Sequence, residues 1–411
     1  MKKILALILC MGFVLSLTAC ARVKADDLMS GIVPDKVETN VDLKNNTGLM
    51  DFAVELFKNA EENGENSLVS PFSVLCALAM TANGADKETL AQMEQALGMP
   101  IDELNEYIYA YTNSLAQGDK YKLSVANSIW FSDRADFVPN RDFLQTNANY
   151  YGAGIYKSDF SGSACDDINL WVKQNTNGMI DKIIDEIPED AVMYLINALA
   201  FEAEWASIYE RSDVNQGNFF KEDKTKQSAD FMYAMEHSYL TDEKAKGFIK
   251  YYSGGEYAFA ALLPDEGVSL SDYVDSLTGE KLAEILANKQ SETVRTSIPK
   301  FKSECSFLLN DCLKDMGMTD AFSGSLADFS KLGSMDDNSG LYINRVLHKT
   351  YIEVAEKGTK AGAVTAVELN CEGAMILPED IKEVYLNRPF VYMIIDTNAN
   401  LPLFIGTVTE I

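Results

Sequence analysis

The sequence predicts an α+β fold with room for one large mixed domain built around mixed or antiparallel sheets. Two observations carry this. Helical periodicity gathers in the first part of the chain and β-branched or aromatic runs in the second, a segregation unlike a βαβ array. No repeat, low-complexity block or Pro/Gly/Ser linker divides residues 47–411, and 47% hydrophobic with 10% aromatic residues can supply a sizeable core.

The elements follow in chain order. Lys2 and Lys3 precede an apolar run from Ile4 to Leu17, too short for a comfortable membrane span and suited to a secretory signal. It closes on Leu17-Thr18-Ala19-Cys20, which resembles the lipobox of bacterial lipoproteins and implies that Cys20 becomes the lipidated first residue of the mature chain. A plain signal peptide with an incidental cysteine is the alternative. The chain is then exported and lipid-anchored at the outer cell surface, or extracellular if released. Residues 21–46, polar and without periodicity, read as a tether to the membrane.

Helices are predicted over DFAVELFKNAEE (51–62), SVLCALAMTANG (73–84), KETLAQMEQALG (87–98) and CSFLLNDCLKDMGM (305–318), with Gly84 and Gly98 as stops. Strands are predicted over LSVANSIWF (123–131), MYLINALAFEAEW (193–205), AFAALLP (258–264), YIEVAE (351–356), PFVYMIIDT (389–397) and LFIGTVTEI (403–411). The segment EVAEKGTKAGAVTAVELNCEGAM, 353–375, combines features of strand and loop. From Thr359 its alternate residues Thr359, Ala361, Ala363, Thr365, Val367 and Leu369 are uncharged, while Lys360 and Glu368 fall on the other face. Gly358 and Gly362 weaken any regular element there, and the run ends in loop-like NCEGAM.

Composition narrows the function. The formal net charge of -27 and the lack of a Lys/Arg block argue against nucleic-acid binding. Beyond Cys10 and Cys20, Cys76, Cys165, Cys305, Cys312 and Cys371 are odd in number and lack CxxC spacing, so no metal site or complete disulfide set is expected. Cys76, inside VLCALAM, reads as core, and Cys371 as an exposed thiol. No P-loop, G-x-S-x-G or H-E-x-x-H occurs, and no cofactor motif. His237 and His348 are the two histidines, and either could in principle serve a triad, although neither has a site motif beside it. The 62 acidic residues make carboxylate pairs unavoidable, so counting alone does not exclude a glycosidase.

Several separated segments stand out: Asn66, Ser70, Pro71 and Ser73 in NSLVSPFS, Asn197 and Trp205 in LINALAFEAEW, His348-Lys349, the segment EKGTKAGAVT, then RPFVYMI and LFIGTV. Taken together in this order they resemble the serpin family over residues 47–411, with EKGTKAGAVT as its hinge. The resemblance implies three β-sheets with surrounding helices and an exposed reactive-centre loop at about 356–382. It implies a monomeric suicide inhibitor of serine, or sometimes cysteine, proteases and no enzyme activity of its own. After cleavage the loop enters the main sheet as a strand while the protease is held as an acyl-enzyme, a switch known for this family. A non-inhibitory serpin, cut as a substrate or acting as a binding protein, is the alternative, with a secreted hydrolase more remote.

The residues themselves meet the demands of insertion. Inward positions must be uncharged, because a buried unpaired charge opposes burial, and Thr359 to Leu369 comply. Thr359 to Glu372 is 14 residues, ~45 Å at about 3.3 Å each, with no proline to delete ladder bonds. Lys360, where the family usually has Glu, and Gly362 and Val364, which interrupt its alanine run, all fall on the outward face. By resemblance, Glu356 and Gly358 begin the hinge, Asn66, Ser70, Ser73, Asn197 and His348 form the shutter, and Trp205 marks the breach. Counting from the hinge places the scissile bond at Glu372-Gly373, which selects a protease with a basic primary pocket. The segment before Arg388-Pro389-Phe390 is longer than in many serpins, so Ala374-Met375 or Met375-Ile376 are alternatives, suiting elastase-like or chymotrypsin-like enzymes. The acidic surface favours encounter with basic proteases without naming one.

Overall fold

The computed structural model describes residues 22–60, 65–133, 137–188, 191–335, 340–359 and 381–411. Among these, strands form sheets of seven, six, four and two, surrounded by helices. The six-stranded sheet is the apolar heart. Its Tyr257–Pro264, Phe390–Asp396 and Leu401–Val408 strands are buried at every position, which their near-continuous apolar sequence requires. The Pro71–Ala82 helix lies against it and against the seven-stranded sheet, and all of its residues are buried. Pro71 opens that helix where a missing N–H costs nothing, and the Ser70 hydroxyl caps the Ser73 N–H. Cys76 sits in this core, where burial pushes its thiol far up, so it packs as a small hydrophobe.

The seven-stranded sheet carries the site. Its order runs Asp26–Asp27, Gly154–Ser158, Tyr121–Ser132, Met193–Glu204, Gly358–Thr359, Arg345–Ala355 and Phe301–Leu308. The Arg345–Ala355 strand alternates buried and half-buried residues without a break, turning Val346, His348, Thr350, Ile352 and Val354 inward.

Two expectations are corrected here. The region 305–318 is not one helix: Phe301–Leu308 is an edge strand and only Asn310–Asp315 is helical. Phe301, Ser303 and Cys305 alternate inward against exposed Lys302, Glu304 and Ser306, a period of two that wins over local helix formers. Nor do residues 22–46 form a free tether. Asp26–Asp27 pairs antiparallel with Tyr156 and Lys157 at the sheet edge, and the Ala25 N–H donates to Asp167 at 2.9 Å. Leu28, Met29, Ile32, Val41 and Leu43 pack on the core, and Tyr107 donates to the Leu43 carbonyl at 3.0 Å. The polar composition concealed these spaced apolar anchors.

Candidate functional site

The two central strands of the seven-stranded sheet are joined at one end and wedged apart at the other. Met193–Glu204 and Arg345–Ala355 pair in parallel from Tyr194↔Arg345 to Ala200↔Tyr351. Beyond that, Gly358–Thr359 lies between them, antiparallel to both, with Thr359 opposite Ala203 on one side and Val354 on the other. Gly358 is required for this: its φ is +152°, and a Cβ would stand 1.9 Å from the Ala203 carbonyl oxygen. Thr359 is fully buried, and its hydroxyl meets the Tyr252 hydroxyl at 2.5 Å.

Aromatic packing holds the turn that delivers this strand. Tyr252 stacks on Trp205 with centroids 4.3 Å apart and planes 7° from parallel. The Trp205 indole N–H donates to the Ala355 carbonyl at 2.8 Å and its backbone N–H to the Lys357 carbonyl at 2.9 Å. The Tyr209 N–H donates to the Glu356 carbonyl at 2.9 Å. Lys300 Nζ lies 2.7 Å from Glu356. Partial burial pushes the Glu356 carboxyl up, but the hydrogen bond and charge of Lys300 outweigh it and hold the group below its usual range.

Beneath the closed end lies a buried polar network. His348 stands directly across from Asn197, and Asn197 across from Asn127 on the Tyr121–Ser132 strand. His348 Nε2 accepts the Ser70 N–H at 3.0 Å, which leaves Nδ1 to donate to Asn197 Oδ1. Asn197 Nδ2 donates to Ser73 Oγ and Asn127 Oδ1, each at 2.5 Å. Complete burial depresses the His348 pKa to about 3, so the ring stays neutral. Such a base has no proton affinity to offer a hydroxyl near neutral pH, and its partners are amide groups, which ends the triad reading for His348.

Of the residues predicted together, Ser70, Ser73, Asn197 and His348 converge, and Trp205, Glu356, Gly358 and Thr359 meet at the open end. Asn66 stands apart from both. Its Oδ1 accepts the Thr409 and Glu410 N–H groups at 2.7 and 3.1 Å, and its Nδ2 donates to the Glu410 carbonyl at 2.9 Å, tying down the C-terminal strand. Asn127, Tyr252 and Lys300 join the site unpredicted, since nothing local in the sequence distinguishes them. Cys20, Ala361, Ala363, Thr365, Val367, Leu369, Cys371, Glu372, Gly373, Ala374 and Met375 lie outside the described residues.

Comparison with known proteins accords with this arrangement. The family model "Serpin (serine protease inhibitor)" matches residues 47–411. Leukocyte elastase inhibitor A of Rattus norvegicus is 31% identical over 376 residues, covering 87% of this chain and 97% of its own. A serpin-like protein of Thermococcus kodakarensis is 30% identical, covering 86% and 83%. Crystal structures of the thermophilic serpin tengpin are 49% identical. The native state superposes with a TM-score of 0.90, covering 95% of this chain and 100% of that one, and the latent state with 0.80, covering 90% and 99%. A sheet parted at one end by a glycine-led strand, a buried polar bridge across its closed end and a family match over the same residues lead to one conclusion: this chain belongs to the serpin family.

Proposed function

We propose that this chain is a suicide-type inhibitor of extracellular serine endopeptidases. The observation that carries the proposal is the seating of Gly358–Thr359 between its two neighbours, which sets a register for everything that follows. On insertion, continuing in steps of two would bring Ala361 opposite Phe201, Ala363 opposite Leu199, Thr365 opposite Asn197, Val367 opposite Leu195 and Leu369 opposite Met193. Met193 is where that strand begins, so the uncharged alternation of the sequence ends where the sheet ends.

The chemistry belongs to the target. A protease serine oxygen attacks the Glu372 carbonyl carbon, an ester forms, the amide to Gly373 breaks, and the new amine leaves with the C-terminal fragment. If strand insertion outruns ester hydrolysis, the protease is carried away while still bound and its active site is distorted. A glutamyl residue at the cut favours a protease with a basic primary pocket, and the serpin acts alone, as a monomer. Lipidation at Cys20 would hold it at the outer cell surface. With residues 22–46 docked, the domain then stands close to its anchor.

The test is incubation of the chain lacking residues 1–20 with a protease panel that includes glutamate-specific enzymes. A complex that survives denaturant, with mass spectrometry of the released fragment beginning at Gly373, is the expected result. If every protease nicks the loop and keeps its activity, the chain is a substrate and the proposal fails.

A further inference from the structure

A cleft of ≈ 680 Å³ opens beside the turn that feeds the seven-stranded sheet. Its walls are the Lys226–Glu236 and Val294–Pro299 strands, Lys250 of the six-stranded sheet, Tyr385, and the 207–213 segment. The volume falls within the range of small-molecule sites, about 300–1,000 Å³. Three tyrosines, 209, 233 and 385, and Met235 supply its apolar surface, with Tyr233 and Tyr385 packed edge to face at 6.3 Å. Tyr233 and Met235 are among the exposed large hydrophobic residues, at 40% and 36%.

The charges of the cleft are largely committed. Lys250, 2% exposed, pairs with Glu236 at 2.8 Å and lies 4.4 Å from the Tyr209 ring centroid. Arg295 pairs with Glu383 at 3.3 Å. Tyr209 is different. It is 6% exposed, and its buried hydroxyl has no hydrogen-bond partner among the described residues. Burial, with Glu236 and Asp213 adding to it, pushes this hydroxyl well above its ordinary range, so it remains an O–H donor. An unsatisfied buried donor is uncommon and costs free energy until something accepts from it.

We propose that this cleft is a small-molecule site for a planar aromatic ligand carrying a hydrogen-bond acceptor, its rings between Tyr233, Met235 and Tyr385 and its acceptor on the Tyr209 hydroxyl. The paired charges disfavour a strongly charged ligand, since it would have to compete with Glu236 or Lys250 for a partner already in place. Flat rings supply contact area at little conformational cost. The inference is independent of protease inhibition.

The probe for the test is 6-propionyl-2-(dimethylamino)naphthalene, whose uncharged fused rings and ketone oxygen match this chemistry. Saturable binding of one equivalent is expected, with slowed hydrogen exchange in peptides covering residues 205–213. Tyr209→Phe, which keeps the ring and removes the donor, should weaken binding about three- to tenfold, the effect of one hydrogen bond. Met235→Asp and Tyr233→Ala should weaken it at least about tenfold, and because both positions are exposed these variants should melt with the parent chain. Binding without saturation, binding unaffected by Met235→Asp and Tyr233→Ala, or no protection at 205–213 would each overturn the site.

Discussion

The register set by Thr359 makes Thr365 a decisive residue. Counted in twos from Thr359, with Ala203 on one side and Val354 on the other, insertion would bring Thr365 between Asn197 and His348. Those two are bonded to each other in the intact chain, and parting the strands breaks that bond. It would leave a buried N–H on His348 and a buried carbonyl on Asn197, each costing about 1–3 kcal/mol unpartnered. A threonine hydroxyl is both donor and acceptor and can serve both. Thr365→Val keeps the shape and removes that service, so the cleaved, inserted form should lose roughly 2–6 kcal/mol while the intact form loses nothing. At about 2.1 cal/mol/K per residue over a domain of roughly 365 residues, this lowers Tm by about 3–8 °C. Calorimetry of intact and loop-cleaved protein, in guanidinium chloride if the cleaved form melts too high, reads the difference, and Thr365→Ser should behave as the parent. Equal shifts in both forms, or none in either, would refute the register. If cleavage adds no stability even to the parent chain, insertion itself is absent.

Three further outcomes are expected. Thr359→Arg buries a guanidinium against Tyr252 and Trp205 at a cost of several kcal/mol, so trapping should give way to turnover of the inhibitor. A stoichiometry of inhibition like the parent's would contradict it. Gly358→Ala forces a Cβ onto the Ala203 carbonyl in a strained conformation costing about 1–3 kcal/mol, expelling the short strand. Hydrogen exchange at the Trp205 amide, bonded to Lys357, should quicken, and a parental rate would count against the wedge. His348 is neutral in the fold with a pKa of about 3 and takes a proton near 6.5 when unfolded. The unfolded state therefore binds more protons below about pH 6.5, and stability present above that value is lost at about 1.4 kcal/mol per unit as pH falls toward 3. Urea midpoints against pH should be flatter for His348→Gln by this slope, and parallel curves would exclude the account.

Much of the site was legible because it is written in local patterns. Serine, proline and serine at 70, 71 and 73 specify a helix start, and Gly358 before Thr359 marks a place where the backbone makes a close approach. The less legible part depends on partners distant in sequence. Asn127 and Tyr252 matter because strand pairing brings them opposite Asn197 and beside Thr359, and neither has a neighbour that signals it. The Ile101–Ser114 helix, absent from the predicted elements, does carry a helical pattern, with Asp102 and Glu103 in its first turn and Leu104, Tyr107, Ile108 and Tyr111 on one face. Arg141–Tyr151 buries only Phe143, Leu144, Asn147 and Ala148, so its apolar stripe is faint. Phe301–Leu308 turns Ser303 and Cys305 inward, which blurs the alternation and let a leucine pair suggest a helix.

The docked N-terminal segment bears on how this protein avoids its own kind. An exposed sheet edge is a template for pairing with another molecule. Asp26–Asp27 occupies one edge of the seven-stranded sheet, two exposed carboxylates on a strand too short to template a neighbour. The opposite edge, Phe301–Leu308, sets Lys302 and Glu304 outward. With both flanks terminated by charge, a free strand from a second chain finds poor purchase on either side. Growth of the sheet is thereby confined to its interior, where Gly358 and Thr359 of the same chain already stand first in line.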